Sequence, residues 1–335
     1  MASTRTLLSI APNLKLPEEA VTETFAVLGK RGSGKTTTAR VLTEELLNVG
    51  LPALILDPTG VWWGLRASAD GAGDGYPVII FGGDHADVPL EETSGSLIAD
   101  VVVTRRISAV LDLSGLSKSG TRRFCTDLLE RLYHRDPLHV VIDEADLLAP
   151  QRVLAGGERL LGAMSDLVRR GRVRGLGVAL VTQRPATLNK DILTQAEVLI
   201  ALRMTGPRDV QAIDEWVRLH ADEDQAKEVK ASLSSLPVGT ALGVVSRVAR
   251  TAAPRPDPST AYLRFLGNPA TGAGQARGPP DGSRRSGRPW ASRSWPPSNG
   301  PRQRTRRRSA PPSPGCRLNL TLGPPRPHLN ESKFR

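Results

Sequence analysis

Residues 24–40 read TFAVLGKRGSGKTTTAR, and the reading of this stretch decides the fold. Phe25 to Leu28 is a short apolar run, Gly29 to Thr36 fits G-x-x-x-x-G-K-[ST], and TTTARVLTEELLN continues as a helix-compatible segment. Gly29, Gly32 and Gly34 let the backbone curl until several N–H groups point inward. The start of the following helix adds the positive end of its dipole. A chain of phosphates fits such a turn when a strand precedes it and a helix follows. The expected nucleotide contacts are Gly29, Lys30, Arg31, Gly32, Ser33, Gly34, Lys35, Thr36 and Thr37. Lys35 places a point charge on the outer phosphates, and the Thr36 hydroxyl is placed to ligate Mg2+.

Working outward, apolar runs recur with helical stretches between them. Strands are expected at 52–57, 78–83, 107–114, 138–146, 177–185, 197–204 and 239–247. Helices are expected at about 35–49, 91–104, 122–134, 157–170, 207–219 and 222–233. Most of the strand runs are apolar throughout, the mark of a parallel sheet buried on both faces. Residues 1–20, with Pro12 and Pro17, read as an extended lead-in on the domain edge. The fold expected is α/β, a mostly parallel sheet with helices on both faces, over residues 21–253.

Three constellations bear chemistry. Leu138 to Ile142 leads directly into Asp143-Glu144. An acid at a strand end beside a phosphate loop holds the shell of Mg2+ through water, so Asp143 is the metal-side acid. A second carboxylate beside it orients and deprotonates water, which makes Glu144 the general base. Two adjacent acids favour hydrolysis over transfer to a bound hydroxyl. Gln183, in Thr182-Gln183-Arg184-Pro185, ends a buried strand where an amide can bond both a γ-phosphate and the lytic water. Residues 169–174 hold four arginines in six positions; from here an arginine could reach the phosphate of a neighbouring subunit.

The composition divides the chain. The formal net charge is +11 over 335 residues, but residues 266–335 hold 14 Lys+Arg against 2 acidic residues. The rest carries 31 basic and 32 acidic residues, so the folded part is close to neutral and its charge alone does not argue for nucleic acid. Residues 266–335 also hold 13 of the 27 prolines and almost no periodic apolar pattern. A segment of that kind buries too little apolar surface to offset its ordering entropy, and 254–335 is expected to be a disordered basic tail. Two cysteines, Cys125 and Cys316, make neither a disulfide framework nor a zinc site. With no apolar run of about 18 residues and a weakly hydrophobic N-terminus, the expected location is the cytoplasm, away from the membrane.

The motifs Gly29–Thr36, LDPTG (56–60), VVIDEAD (140–146), RRGRVRGLGVALVTQRP (169–185) and DILTQAEVLIALRM (191–204) together resemble the ATPase core of the HerA/FtsK superfamily of RecA-like motors, most of all its HerA-type branch. The likeness covers roughly residues 20–250. It implies a RecA-like P-loop fold and a hexameric ring that hydrolyses ATP and translocates double-stranded DNA, with a nuclease or regulatory protein as partner. By that resemblance Arg169 or Arg172 is the finger acting in trans and Gln183 the sensor. Asp57 matches the acidic position after the second strand, near the nucleotide and a candidate for the metal. Two departures stand out. The family's DNA pump carries a β-barrel ahead of the ATPase, whereas the glycine loop here starts at residue 29, and Val61-Trp62-Trp63 replaces an acid just past LDPTG. Trp62 and Trp63 could stack on a base, although paired aromatics are more often packing. Two rival readings are a nucleotide-gated regulatory ATPase acting on proteins and a P-loop kinase with the arginine-rich segment as its lid.

Overall fold

The computed structural model describes residues 7–11, 14–68, 73–133 and 138–245 and the backbone of Leu263–Arg264. Apart from those two backbone positions, the tail expected over 254–335 lies outside the described residues. In chain order the elements are β1 (Leu7–Ala11), β2 (Leu14–Pro17), β3 (Thr24–Leu28), α1 (Lys35–Asn48), β4 (Ala53–Asp57), β5 (Ile79–Phe81), α2 (Gly95–Arg105), β6 (Ala109–Asp112) and α3 (Lys118–Leu132). They continue with β7 (Leu138–Ile142), α4 (Ala145–Leu148), α5 (Glu158–Arg170), β8 (Leu176–Thr182), α6 (Lys190–Leu193), β9 (Val198–Leu202), α7 (Pro207–His220), α8 (Glu223–Ser232), β10 (Ala241–Val245) and β11 (Leu263–Arg264).

One sheet organises the domain, in the order β11-β10-β9-β3-β8-β7-β4-β6-β5. The strands from β9 to β5 run parallel, and β10 and β11 add antiparallel edges. Period-two side chains feed two cores. Ala26, Leu28, Leu54, Leu56, Val140, Ile142, Val178 and Leu180 pack under α2, α3, α5, α7 and α8. Phe25, Val27, Ile55, Val141, Ala179 and Val181 pack on the other face, against α1 and the β1–β2 hairpin. Both faces being covered explains why these strands are buried at every position and mostly apolar.

Strand ends and the N-terminus depart from the sequence reading. The lead-in is a hairpin rather than a single extended segment, because Leu8, Ile10, Leu14 and Leu16 alternate inward onto α1. Its Ser9 N–H donates to Glu45 at 2.6 Å. The strand expected to reach residue 146 stops at Ile142. The Asp143 carboxylate accepts the Glu144 N–H at 3.0 Å, a local turn that competes with the ladder. Likewise β8 stops at Thr182, whose hydroxyl accepts the Arg184 N–H at 2.9 Å. Among the described residues no helix is long and apolar enough to cross a membrane.

At the opposite end of the sheet His139 is wholly buried. Its Nδ1 donates to the Val21 carbonyl at 2.7 Å, while its Nε2 has no partner. A Cβ on Gly177 would come within 1.7 Å of that carbonyl oxygen and 2.6 Å of Nδ1, so only glycine lets β8 pass there. Burial lowers the His139 pKa from 6.5 to about 4, with the Val21 hydrogen bond opposing. The unfolded chain thus takes up a proton near pH 6.5 that the folded chain refuses until about pH 4. This contribution is fully present above pH 6.5 and is lost as pH falls toward 4, reaching about 3 kcal/mol at the acid end. In urea melts between pH 7 and 4, His139→Gln should show a flatter decline than the parent; parallel curves would assign the acid sensitivity to other groups.

Candidate functional site

The loop from Gly29 to Thr36 leaves the C-terminal end of β3, where ligands bind in open α/β sheets. Gly32 and Gly34 take positive φ of 75° and 103°, conformations that glycine adopts without a Cβ penalty. Gly29 is required by proximity, since a Cβ there would lie 2.4 Å from Ser33 Oγ and 2.9 Å from Leu202 Cβ. The loop is braced from behind. Gly29 N–H donates to Thr182 O at 3.3 Å, Lys30 N–H to Arg203 O at 2.9 Å, and Gly239 N–H to Ser33 O at 3.1 Å. By contrast, the N–H groups of Gly34, Lys35, Thr36 and Thr37 donate to no described residue. The Ser33 hydroxyl is buried without a partner. Orphan donors at the start of the 14-residue α1 make a fit for an anion, as backbone amides at helix starts do.

The acids stand two strands away. β8 pairs in parallel with β3 on one side and with β7 on the other, so an additional strand separates the phosphate loop from Asp143-Glu144. Glu144 adopts φ 46° and ψ 50° as the residue capping α4, a left-handed conformation costly for a side chain with a Cβ. That turn aims its carboxylate back across β8. Lys35 Nζ lies 3.5 Å from Glu144 Oε1, and Gln183 Nε2 donates to the same oxygen at 3.2 Å. Burial raises the Glu144 pKa; Lys35 opposes this, and Asp143 and Asp146 add to it. The loop lysine, the second acid and the strand-end amide therefore meet at one carboxylate oxygen.

Asp143 is 2% exposed. Its Oδ2 accepts the Trp62 indole N–H at 2.8 Å, and its Oδ1 accepts the Glu144 N–H. Each oxygen keeps a second lone pair for a water of a metal shell. Asp57 is placed differently. Oδ1 accepts from Thr59 N, Thr59 Oγ1 and Gly60 N at 2.9–3.0 Å, and Oδ2 accepts the Trp62 N–H at 2.8 Å. Burial raises its pKa, with those hydrogen bonds opposing. Its oxygens organise the turn after β4, Oδ1 taken by three donors and Oδ2 by one.

Trp62 is the residue that sequence reasoning left open. It is fully buried, its backbone N–H held by Asp57 and its indole N–H by Asp143, with the Arg40 guanidinium 5.7 Å from its ring centre. Arg40 also donates to the Val61 carbonyl. Trp62 thereby ties the β4 turn, the end of β7 and α1 together. The signal available in the sequence was its place directly after LDPTG. Trp63 is 42% exposed and stacks on His85 at 4.1 Å.

The arginine run does not join this cluster. Arg169 and Arg172 precede the first residue of β8, at the opposite end of a seven-residue strand that spans roughly 20 Å. Arg172 is engaged by Glu23 at 3.1 Å and by Glu197 at 2.6 Å. Burial and the neighbouring Glu197 raise Glu23 to about 8, against the pull of Arg172. Arg169 is exposed and makes no ion pair with a described residue. Arg105 and Arg106, at the C-terminal end of α2, lead into β6 at this same end of the sheet.

Two sequence families match the chain. Residues 12–73 fit the central domain of helicase HerA, and residues 130–262 the helicase HerA-like C-terminal domain, which together cover more than half of it. The DNA double-strand break repair helicase HerA of Pyrococcus furiosus is 35% identical over 106 residues, 32% of this chain and 18% of that protein. That of Saccharolobus solfataricus is 32% identical over 108 residues, 32% of this chain and 20% of that protein. The chain thus matches about a fifth of the length of these relatives. Among solved structures, the genome packaging NTPase B204 of Sulfolobus turreted icosahedral virus 2, in complex with sulfate, superposes with a TM-score of 0.50 at 13% identity, covering 74% of this chain and 98% of that one. The bacterial conjugative coupling protein TrwB, lacking its N-terminal 70 residues, gives 0.50 at 12% identity over 80% of this chain and 89% of that one. At these identities the structures speak for the fold, and the sequence matches for the family. With β8 inserted between β3 and β7 and Lys35 opposite Glu144, the chain belongs to the HerA/FtsK superfamily of RecA-like P-loop ATPases.

Proposed function

We propose that this chain binds Mg-ATP on Gly29–Thr37 and hydrolyses it with Glu144 as general base, as the motor of a ring that acts on double-stranded DNA. The observation that carries hydrolysis is the position of Glu144 Oε1, between Lys35 Nζ at 3.5 Å and Gln183 Nε2 at 3.2 Å. With phosphates on the loop, the Lys35 ammonium turns to their oxygens and frees the Glu144 carboxylate to take a proton from water. Gln183 is placed to orient that water from the neighbouring strand. Thr36 and, through water, Asp143 would hold Mg2+, which when bound neutralises the charge on the outer phosphates. Among the described residues no group of three His, Cys, Asp or Glu is arranged to hold a metal. That suits an ion carried in largely by the nucleotide. The pair of acids and the inserted β8 favour hydrolysis over the kinase reading.

DNA enters through the relatives, which are named as DNA double-strand break repair helicases. The ring enters through the arginines, which cannot reach their own loop and can act only on that of another copy. A second reading, a nucleotide-gated regulatory ATPase working on protein partners, is favoured by the near-neutral charge of residues 1–265, because duplex translocation normally draws on basic contacts. Steady-state ATP hydrolysis with and without linear double-stranded DNA separates the two. Stimulation of several-fold supports the motor, and hydrolysis indifferent to DNA supports the regulator and directs the search to a nuclease or other protein partner.

Lys35→Ala removes a charged phosphate contact worth about 2–3 kcal/mol, so ATP affinity should fall by some 30-fold or more in a titration with a fluorescent analogue. Glu144→Gln should retain ATP and slow turnover by about 100-fold or more; unchanged turnover removes Glu144 from the base role. The two arginines separate by stability. Arg169→Ala should melt with the parent and lose turnover, whereas Arg172→Ala leaves Glu23 and Glu197 facing each other and should lower Tm. Mixing the Lys35→Ala and Arg169→Ala proteins should restore part of the hydrolysis if Arg169 acts between subunits, and none if it does not.

A further inference from the structure

Asp146 enters the site described above only through its charge near Glu144, yet it is 7% exposed and bonded to the end of β8. It stands two residues past Glu144 in the four-residue α4. Thr182 Oγ1 donates to its Oδ1 at 2.5 Å, and Thr187 Oγ1 donates to its Oδ2 at 3.1 Å. These threonines bracket the segment 183–186. Thr182 is the last residue of β8, and its hydroxyl also accepts the Arg184 N–H at 2.9 Å. Thr187 closes the turn from the other side: its N–H donates to Arg184 O at 2.9 Å, and its single hydroxyl proton is shared between Asp146 Oδ2 and that same carbonyl, which lies 2.9 Å from Oγ1. The carboxylate thus uses one oxygen on each end of the turn that presents Gln183.

Burying a carboxylate without a cationic partner costs free energy that two hydroxyl donors only partly return. Packing does not explain it, because an apolar residue of similar size would be buried there at less cost. What the acid adds is a rigid link. Gln183 Nε2 bonds Glu144 Oε1 across the gap between β8 and β7, and both residues sit on turns, with no ladder partner to hold them in register.

We propose that Asp146 is a positioning residue that fastens the Gln183 turn to the helix carrying Glu144, so that the strand-end amide and the base keep one geometry. This rests on the reading of Glu144 as general base. Asp146 touches no reacting atom in this arrangement; it acts through Thr182 and Thr187. Loosening the link lets Gln183 and Glu144 drift by a fraction of an ångström or more, and misplacement of about 1 Å in such a site costs up to 100-fold in rate. Nucleotide affinity, set by the Gly29–Thr37 loop on the far side of β8, is untouched.

The test uses the full chain, with ATP turnover and the dissociation constant of a fluorescent ATP analogue measured side by side. Asp146→Ala and Thr187→Val should each lower kcat tenfold or more and leave the dissociation constant within twofold. Asp146→Asn should recover most of the rate, because the carboxamide accepts from Thr182 Oγ1 and donates to Thr187 Oγ1. Thr187 is half-buried at the turn surface, so its variant folds even where Asp146→Ala does not. Wild-type kcat in Thr187→Val, or an Asn variant as slow as the Ala variant, overturns the positioning role. Weakened nucleotide binding in step with kcat also overturns it, in favour of a general loss of structure. Glu144→Gln is the control for the reading beneath. If it turns over normally both proposals fall, and if it is inactive while Asp146→Ala is not, only the positioning role falls.

Discussion

The insertion of β8 between β3 and β7 is the constraint on which the site depends. Neighbouring strands lie about 4.8 Å apart, so the phosphate loop and the acids are held roughly 10 Å from each other by backbone hydrogen bonds alone. A lysine side chain reaching from one side and a glutamate from the other close most of that gap, which is how Lys35 and Glu144 come to 3.5 Å. Gln183 ends the strand in between and bonds the same oxygen. The spacing is narrow enough that all three side chains converge on one carboxylate oxygen.

Carboxylates at the strand ends divide into two kinds. Asp57 and Asp146 spend their oxygens on neighbouring N–H and hydroxyl groups and set the shape of turns. Asp143 and Glu144 instead meet groups of the neighbouring elements, the Trp62 indole in one case and Lys35 and Gln183 in the other. The difference follows from the donors each meets: a turn folding back over Asp57 brings four donors to it, whereas Asp143 meets one indole and one amide. Trp62 links the two kinds. It donates to both Asp57 and Asp143 while its ring fills the core. A bulky aromatic in place of an acid just past LDPTG is accommodated because its one polar atom finds a buried acceptor.

The two ends of the sheet are chemically distinct. The C-terminal end gathers glycines with positive φ, orphan amides and acids. The opposite end gathers Arg105, Arg106 and the 169–174 run, with Arg172 held between Glu23 and Glu197. One protomer therefore carries orphan amides and acids at one end of the sheet and arginines at the other.

By itself the sequence determined the phosphate loop, the alternation that makes a parallel sheet, the acids after β7 and the amide after β8. Each of these is local: a turn needing glycine, a strand buried on both faces, a polar residue at the end of an apolar run. Other features lay beyond it, since they depend on which strand lies beside which and on where side-chain atoms meet. The order β3-β8-β7 brings Thr24 beside Val178 and Leu138 beside Leu176, pairings more than a hundred and nearly forty positions apart in the chain. The lead-in became a hairpin because α1 offered an apolar face, and Asp57 became a turn anchor because its donors fold back on it. Arg172 likewise is held by Glu23 and Glu197, acids remote from it in sequence, while Arg169 stays exposed. Tertiary contact decided these features because a hydrogen bond or an ion pair depends on distances of a few ångströms that no spacing along the chain encodes.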